Sequence, residues 1–274
     1  MAASFCVLGS GSSGNAALVR TPGGEFLLDA GFASSELGRR LNRAGSAWEN
    51  VRALVLTHLH SDHLKRSNLS ECVRRGIRVF MHAAHARELS EETSRLGRLQ
   101  EAGLLHRYGS GAFEPVCGTR GFPFPLSHDA RPTFGFRLEI ADAGRTRRLA
   151  YLADLGVWSG DLDAAIAGVD LLALEFNHDA RLERESGRPW RLIERVLGPE
   201  GHLSNAQAAE VFERVIALNG GAGPRRLVQL HLSRECNTSR LAYQAAREVV
   251  LRLGACTRIY GSRQEAPGEV HEVE

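Results

Sequence analysis

A chain of 274 residues can bury a sizeable core as one large α/β domain or two small ones. With 43% hydrophobic and 24% charged residues it has the composition of a soluble globular protein, which excludes a disordered chain and a disulfide-dense scaffold. The formal net charge of +2 does not announce a nucleic-acid binder, and nearly all the positive charge is arginine, Lys65 being the only lysine.

Five cysteines, Cys6, Cys72, Cys117, Cys236 and Cys256, lie scattered without a C-x-x-C pair. Their odd number argues against a disulfide framework and for free thiols in a reducing compartment. The opening "MAASFCVLGSG" lacks a basic stretch followed by a long apolar one, and no apolar run approaches the length of a membrane span. The expectation is a cytoplasmic protein without membrane association or an obligate protein partner.

Taken in chain order, "SFCVLGSGSSGNAALVR" reads as strand, Gly/Ser turn and strand, and "EFLLDAG" adds a third strand after the turn residues "TPGG". "SSELGRRLNRA", from Ser34 to Ala44, reads as a Ser-capped amphipathic helix, and "RALVL" as the next strand. "SNLSECVRRGIRVFMH" gives helix, turn and short strand, and "AHARELSEETSRLGRLQEAG" one longer polar helix. "GFPFPL", "TFGFRLEI" and "RRLAYLAD" are short apolar or alternating runs broken by Pro, Gly and "DAG". The last third alternates strand "DLLALEFN", helices over 189–197 and 205–217, strand "RRLVQL", helix 239–253 and strand "TRIY". Residues 265–274 read as a frayed tail. With no repeat or linker dividing the chain, the reading is a single domain, 1–274, of α/β class: two facing β-sheets with helices on the outer faces.

The stretch "THLHSDHL", directly after "ALVL", gathers His58, His60, Asp62 and His63 into six positions. With 11 histidines in the chain, such a cluster arises by accident on the order of once in a thousand chains of this composition. Two metal ions held close together need about six or seven side-chain ligands, mostly His with carboxylates. The chain offers that set, each member following a predicted strand: His58, His60, Asp62 and His63 after "ALVL", His128 after "GFPFPLS", Asp154 after "LAYLA" and His231 after "RRLVQL".

At these residues the chain resembles the metallo-β-lactamase superfamily, whose motif is T-H-x-H-x-D-H, and "LLDAG", "SHDA", "YLADLG" and "LHLS" match its remaining motifs in order. The resemblance implies an αββα four-layer sandwich. It also implies that His58, His60 and His128 hold one metal and Asp62, His63 and His231 the other, with Asp154 bridging and Asp29 structural. Zn²⁺ is the first expectation for a His-rich set with two carboxylates, and Mn²⁺ or Fe²⁺ support the same chemistry. "GHLSNAQAAEVFERV" is similar to the ribonuclease Z pattern, in which an additional His works with an acidic residue in a preceding strand, here His202 and Glu175. Through "SSGN", "SHDA", "ADLG", "NHD", "PW", "GHLSN" and "HLS" the chain is most similar to the YycJ/WalJ-like group, associated with 5′-exonuclease activity on DNA. Phe176 departs from that pattern, which has a small polar residue there.

Together the residues and the resemblance imply a dinuclear phosphodiesterase in which Asp154, Glu175 and His202 are catalytic, with His202 as general acid for the leaving alkoxide. Ser13 and Asn15 in "GSGSSGN" are candidates for the substrate edge of the site, as is His178, and the loop reads equally as an anion-binding nest or an ordinary turn. The arginines at 181, 184, 188, 191 and 195 fit a backbone-tracking groove less well than a solvated helix face, because Gly187, Pro189 and three glutamates interrupt them. The expected substrate is nucleic acid, DNA first, read without sequence specificity. The alternatives are a small-molecule (cyclic or nucleotide) phosphodiesterase or other hydrolase of the same superfamily, such as a thioesterase or lactamase, and a non-catalytic metal-stabilised scaffold.

Overall fold

The computed structural model of the protein describes residues 2–274, which form two compact units. One takes the chain up to Pro123 together with Leu138–Arg147 and Arg263–Val273; the other takes Phe124–Arg137, Arg148–Ser262 and Glu274.

The first unit opens as a meander of β1 (Ser4–Gly9), β2 (Ala16–Thr21) and β3 (Gly24–Leu28). Helix and strand then alternate: α1 (Ser34–Arg43), β4 (Val51–Val55), α2 (Ser67–Arg75), β5 (Arg78–His82), α3 (Ala83–Glu92), α4 (Arg95–Glu101) and β6 (Leu105–Tyr108). Antiparallel pairing from β1 to β3 gives way to parallel pairing from β3 to β6. Apolar residues at helical spacing on α1 and α2, Leu37, Leu41, Leu69 and Cys72, close over Leu18, Leu27, Leu54 and Val79 of the strands.

Beyond it the chain runs through β7 (Thr119–Leu126), β8 (Thr133–Asp142) and β9 (Arg145–Leu152), then α5 (Asp163–Ile166) and β10 (Leu171–Glu175). It continues with α6 (Ala180–Glu185), α7 (Trp190–Leu197), α8 (Asn205–Leu218), β11 (Arg226–Leu230), α9 (Ser239–Leu253), β12 (Arg258–Gly261) and β13 (Val270–Glu272). A six-stranded sheet runs β12-β11-β10-β9-β8-β7, with β9 to β12 parallel, and a seven-stranded one runs β13-β1-β2-β3-β4-β5-β6. In the second unit Leu152, Leu172, Leu174 and Leu227 pack against Phe212 and Val215 of α8 and Ala246 of α9. The expected fold class, two mixed sheets with helices, is the one observed.

Where sequence and structure differ, the cause is local. Helix α1 starts at Ser34 itself, and Ala33 precedes it without a side-chain cap. The single polar helix expected after β5 is two, because Thr93 takes an extended backbone, φ −153° and ψ 136°, and its hydroxyl accepts from Arg95 N at 3.2 Å to start the next helix. The tail does not fray. Val270 to Glu272 pair antiparallel with β1, and Gly268 N and Val273 N donate to Val7 O and Ala3 O. Helix α8 begins as its sequence dictates, Ser204 and Gln207 forming a reciprocal capping box. No helix among the described residues is long and apolar enough to cross a membrane.

All five cysteines are free. Burial pushes the Cys6 thiol up to about 11 and Cys72 up to about 12, and Cys236 is also buried, whereas Cys117 and Cys256 are exposed. Thiolate is the reactive form. Ellman's reagent is therefore expected to titrate two thiols in the native protein and all five in denaturant.

Candidate functional site

In the first unit the histidine loop follows β4, as its sequence position requires, and one carboxylate organises it. Asp29, at the end of β3, has no exposed surface. Its Oδ1 accepts from Thr57 N at 2.8 Å, its oxygens take the Thr57 hydroxyl at 2.9 and 3.0 Å, and Oδ2 accepts from His63 Nδ1 at 2.7 Å. Burial raises the Asp29 carboxyl above its usual range, while His63 and Thr57 pull in the opposite direction. The Thr57 hydroxyl also meets His58 Nδ1 at 3.0 Å. With Nδ1 engaged on both rings, a metal would be taken on Nε2 of His58 and His63, the arrangement in which an outer hydrogen bond fixes a ligand's tautomer.

The loop is also fixed by its backbone. Ala30 N donates to His63 O and Asn15 N to Asp62 O, both at 2.7 Å. Glycine is required at position 31, where a Cβ would fall 1.6 Å from Asp62 O. The rings of His58 and His60 lie 4.8 Å apart and those of His58 and His63 4.1 Å apart. Asp29 is thus structural, as the resemblance implied.

Asn15 and Ser13 part company. Ser13 is exposed, but Asn15 is fully buried and offers no surface to a substrate. Four amides of the Gly-rich turn, those of Ser10, Gly11, Gly14 and Asn15, already donate to protein oxygens.

The second unit brings His128, Asp154, Glu175, His202 and His231 together from five chain segments. One donor atom from each of Asp154, Glu175, His202 and His231 lies within 4.8 Å of the others. Glu175, the last residue of β10, is fully buried. Its Oε1 accepts from His202 Nδ1 at 2.7 Å and from His231 Nδ1 at 2.8 Å, and its Oε2 from Leu155 N at 2.9 Å and Leu203 N at 3.2 Å. Burial opposes ionisation of Glu175, but the two imidazoles outweigh it and hold the carboxyl down at about 2. Burial likewise opposes charge on His231, yet Asp154, whose Oδ1 is 2.5 Å from its Nδ1, and Glu175 hold that ring up at about 10. His128 donates Nδ1–H to Gly201 O at 3.0 Å, and its ring lies 5.1 Å from that of His202.

His178 does not face outward. It is fully buried, its Nδ1 lies 3.3 Å from Asn177 Oδ1, and burial lowers its pKa. Phe176 fills the core beside Leu174. Three of the five arginines from 181 to 195 are ion-paired: Arg181 with Glu185, Arg188 with Glu183 and Glu235, and Arg195 with Asp129.

Sequence reading missed the asparagines that secure the second cluster. Asn177 Nδ2 donates to His231 O at 2.9 Å, and Asn237 Nδ2 donates to Phe176 O and Asn177 O. Asn177, like the candidate ligands, follows a strand, so the strand-then-polar pattern was the available signal.

Imidazole nitrogens with carboxylate oxygens, oriented by buried acceptors, form a donor set that fits divalent transition ions such as zinc. The family described as "Beta-lactamase superfamily domain" matches residues 25–232, which include every one of these donors. The chain belongs to the metallo-β-lactamase superfamily. Among its relatives, the exodeoxyribonuclease WalJ of Streptococcus pneumoniae serotype 2 (strain D39) is 28% identical over 240 residues, covering 87% of this chain and 85% of its own. Ribonuclease Z of Mycobacterium sp. (strain KMS) is 30% identical over 240 residues, covering 76% of this chain and 79% of its own. The Zn²⁺-bound PqqB structure from Methylobacterium extorquens shares the fold, with a TM-score of 0.67 at 17% identity over 97% of this chain and 99% of its own. As a superfamily member the protein is a metal-dependent hydrolase.

Asp29→Ala strands His63 Nδ1 and the Thr57 amide and hydroxyl in a dry interior. The loss expected is about 3–5 kcal/mol, the usual cost of breaking a buried pair from one side. Urea unfolding checks it, with a lowered midpoint at unchanged slope.

Proposed function

We propose that the protein is a phosphodiesterase acting on nucleic acid, and specifically a 5′-exonuclease on DNA. The observation that carries this reading is the pair of buried Glu175 and partly exposed His202 beside Asp154 and His231, since a phosphodiester has an alkoxide to expel and the pair is built to supply its proton. The curated relatives named for nucleases support it, and WalJ, the exodeoxyribonuclease, favours DNA.

In this reading His58, His60 and His128 would hold one divalent ion and Asp62, His63 and His231 the other, with Asp154 serving both; Zn²⁺ suits the donor set first, with Mn²⁺ or Fe²⁺ as alternatives. When bound, such ions supply Lewis-acid neutralisation of phosphoryl oxygens and acidify the attacking water. The remaining work falls to the chain's own residues. Glu175, accepting from His202 Nδ1, keeps that imidazole oriented, so the proton to be given to the leaving oxygen is the one on Nε2. Because Glu175 also accepts from His231, one carboxylate sets the acid and a metal ligand in register with each other.

The family match runs continuously through parts of both compact units, which supports one metallo-β-lactamase-fold domain. Free thiols throughout support a cytoplasmic location. Binding of the nucleic-acid backbone without sequence selectivity is part of the same reading.

His202→Ala is expected to keep the metals and lose turnover by about 10²–10⁴-fold, the usual worth of a positioned general acid. His60→Ala is expected to lose metal and activity together. Both are read by metal analysis beside digestion of end-labelled single- and double-stranded DNA and RNA, with bis-p-nitrophenyl phosphate in parallel. Release of nucleotides from the 5′ end of DNA, abolished in His202→Ala, is the expected result. Cleavage of the small diester with every polymer intact would replace it with a small-molecule phosphodiesterase.

A further inference from the structure

Asn15 uses every polar atom of its buried side chain. Oδ1 accepts from Ser10 Oγ and from Gly11 N, both at 2.9 Å. Nδ2 donates to Gly11 O at 3.1 Å and also faces Asp62 Oδ2 at 3.2 Å and His63 Nε2 at 2.9 Å. The partners fix which way the amide points. A backbone N–H only donates, so the atom facing Gly11 N is the carbonyl oxygen, and the NH₂ group lies on the side of Asp62 and His63. One hydrogen of that group serves the turn through Gly11 O. The other is left for the two side chains.

The tautomer of His63 is fixed in the same way. Its Nδ1 lies 2.7 Å from Asp29 Oδ2, and that buried acid also takes the Thr57 hydroxyl and amide. Nδ1 is therefore a donor, and because the Asn15 NH₂ group facing Nε2 can only donate, Nε2 is the acceptor that carries the lone pair. That lone pair is the one a metal would use, and the Asn15 amide hydrogen is on it.

We propose that Asn15 is a placeholder for the second metal ion: its amide N–H holds the Nε2 lone pair of His63 and an oxygen of Asp62, the atoms that ion would take, and has to withdraw for the ion to bind. This rests on the metal pair proposed above. The placeholder sets a hydrogen-bond donor against a buried imidazole lone pair and a carboxylate oxygen in the position of a cation. The same contact competes with the ion. Hydrogen bonds of this kind, one of them to a carboxylate, are worth about ten- to a hundredfold in affinity. The two ions are therefore held unequally, with the weaker position at Asp62 and His63.

The test uses the full chain stripped with EDTA, titrated with Zn²⁺ by calorimetry and followed separately by thermal melting. In Asn15→Ala the second ion is expected to bind about ten- to a hundredfold more tightly than in the wild type, with the first unchanged. Asn15→Asp keeps the oxygen that serves Ser10 and Gly11, and turns the other side into an acceptor facing Asp62 and His63. It is expected to melt below the wild type in EDTA and to gain more than the wild type on adding Zn²⁺; it also decides the matter should the alanine variant not fold. A wild type that takes one ion where a variant takes two supports the placeholder in its strongest form. A second ion bound no more tightly in either variant than in the wild type overturns it and leaves the metal pair standing. No uptake by any of the three proteins removes the metal pair and the placeholder together.

Discussion

A carboxylate withdrawn from water has to be met by hydrogen-bond donors, and two such groups, Asp29 and Glu175, set the architecture of everything chemical in this protein. Each stands at the end of a strand with no exposed surface and accepts from backbone amides as well as imidazoles. The backbone donors matter as much as the histidines. They tie the position of each acid to the fold, so the imidazoles it holds inherit the rigidity of the sheet rather than the freedom of a loop.

Geometry at the strand ends obeys this demand. Four non-glycine residues among those described have positive φ, and three of them are Asp29 at 61°, Asp154 at 57° and His231 at 54°. A left-handed backbone at such residues costs roughly 1–3 kcal/mol and survives only where the surroundings over-determine it. Here they do. Thr57 and His63 hold Asp29, and the Asn177 amide holds the His231 carbonyl while Glu175 and Asp154 hold its ring. Turning the chain sharply just past a strand's last residue is what aims a side chain off the sheet's edge, and the strain is the physical cost of that aim.

What could be read from the sequence was what is local. The six-position histidine cluster and the polar residue after each apolar run declare themselves within a few residues, and both stand where they were expected. What could not be read depends on distant partners. Glu175 was foreseen beside His202, but its bond to His231 joins residues 56 positions apart. Asn15 looked like a substrate contact because the turn carrying it is glycine-rich; its burial against Asp62 comes from the close approach at Gly31. Composition misled at the tail, where polar residues hid a strand stabilised by a partner at the opposite end of the chain.

That last strand has a consequence for how the protein keeps to itself. β1 is buried along all six of its residues, and the three residues of β13 are what lie along its outer side. An apolar strand with an unpaired rim is a template for another copy of itself, and natural sheets blunt such rims with short or charged edge strands. Val270–Glu272 is both short and, at Glu272, charged. These few residues act as a selvedge that keeps the seven-stranded sheet from extending into a neighbour's.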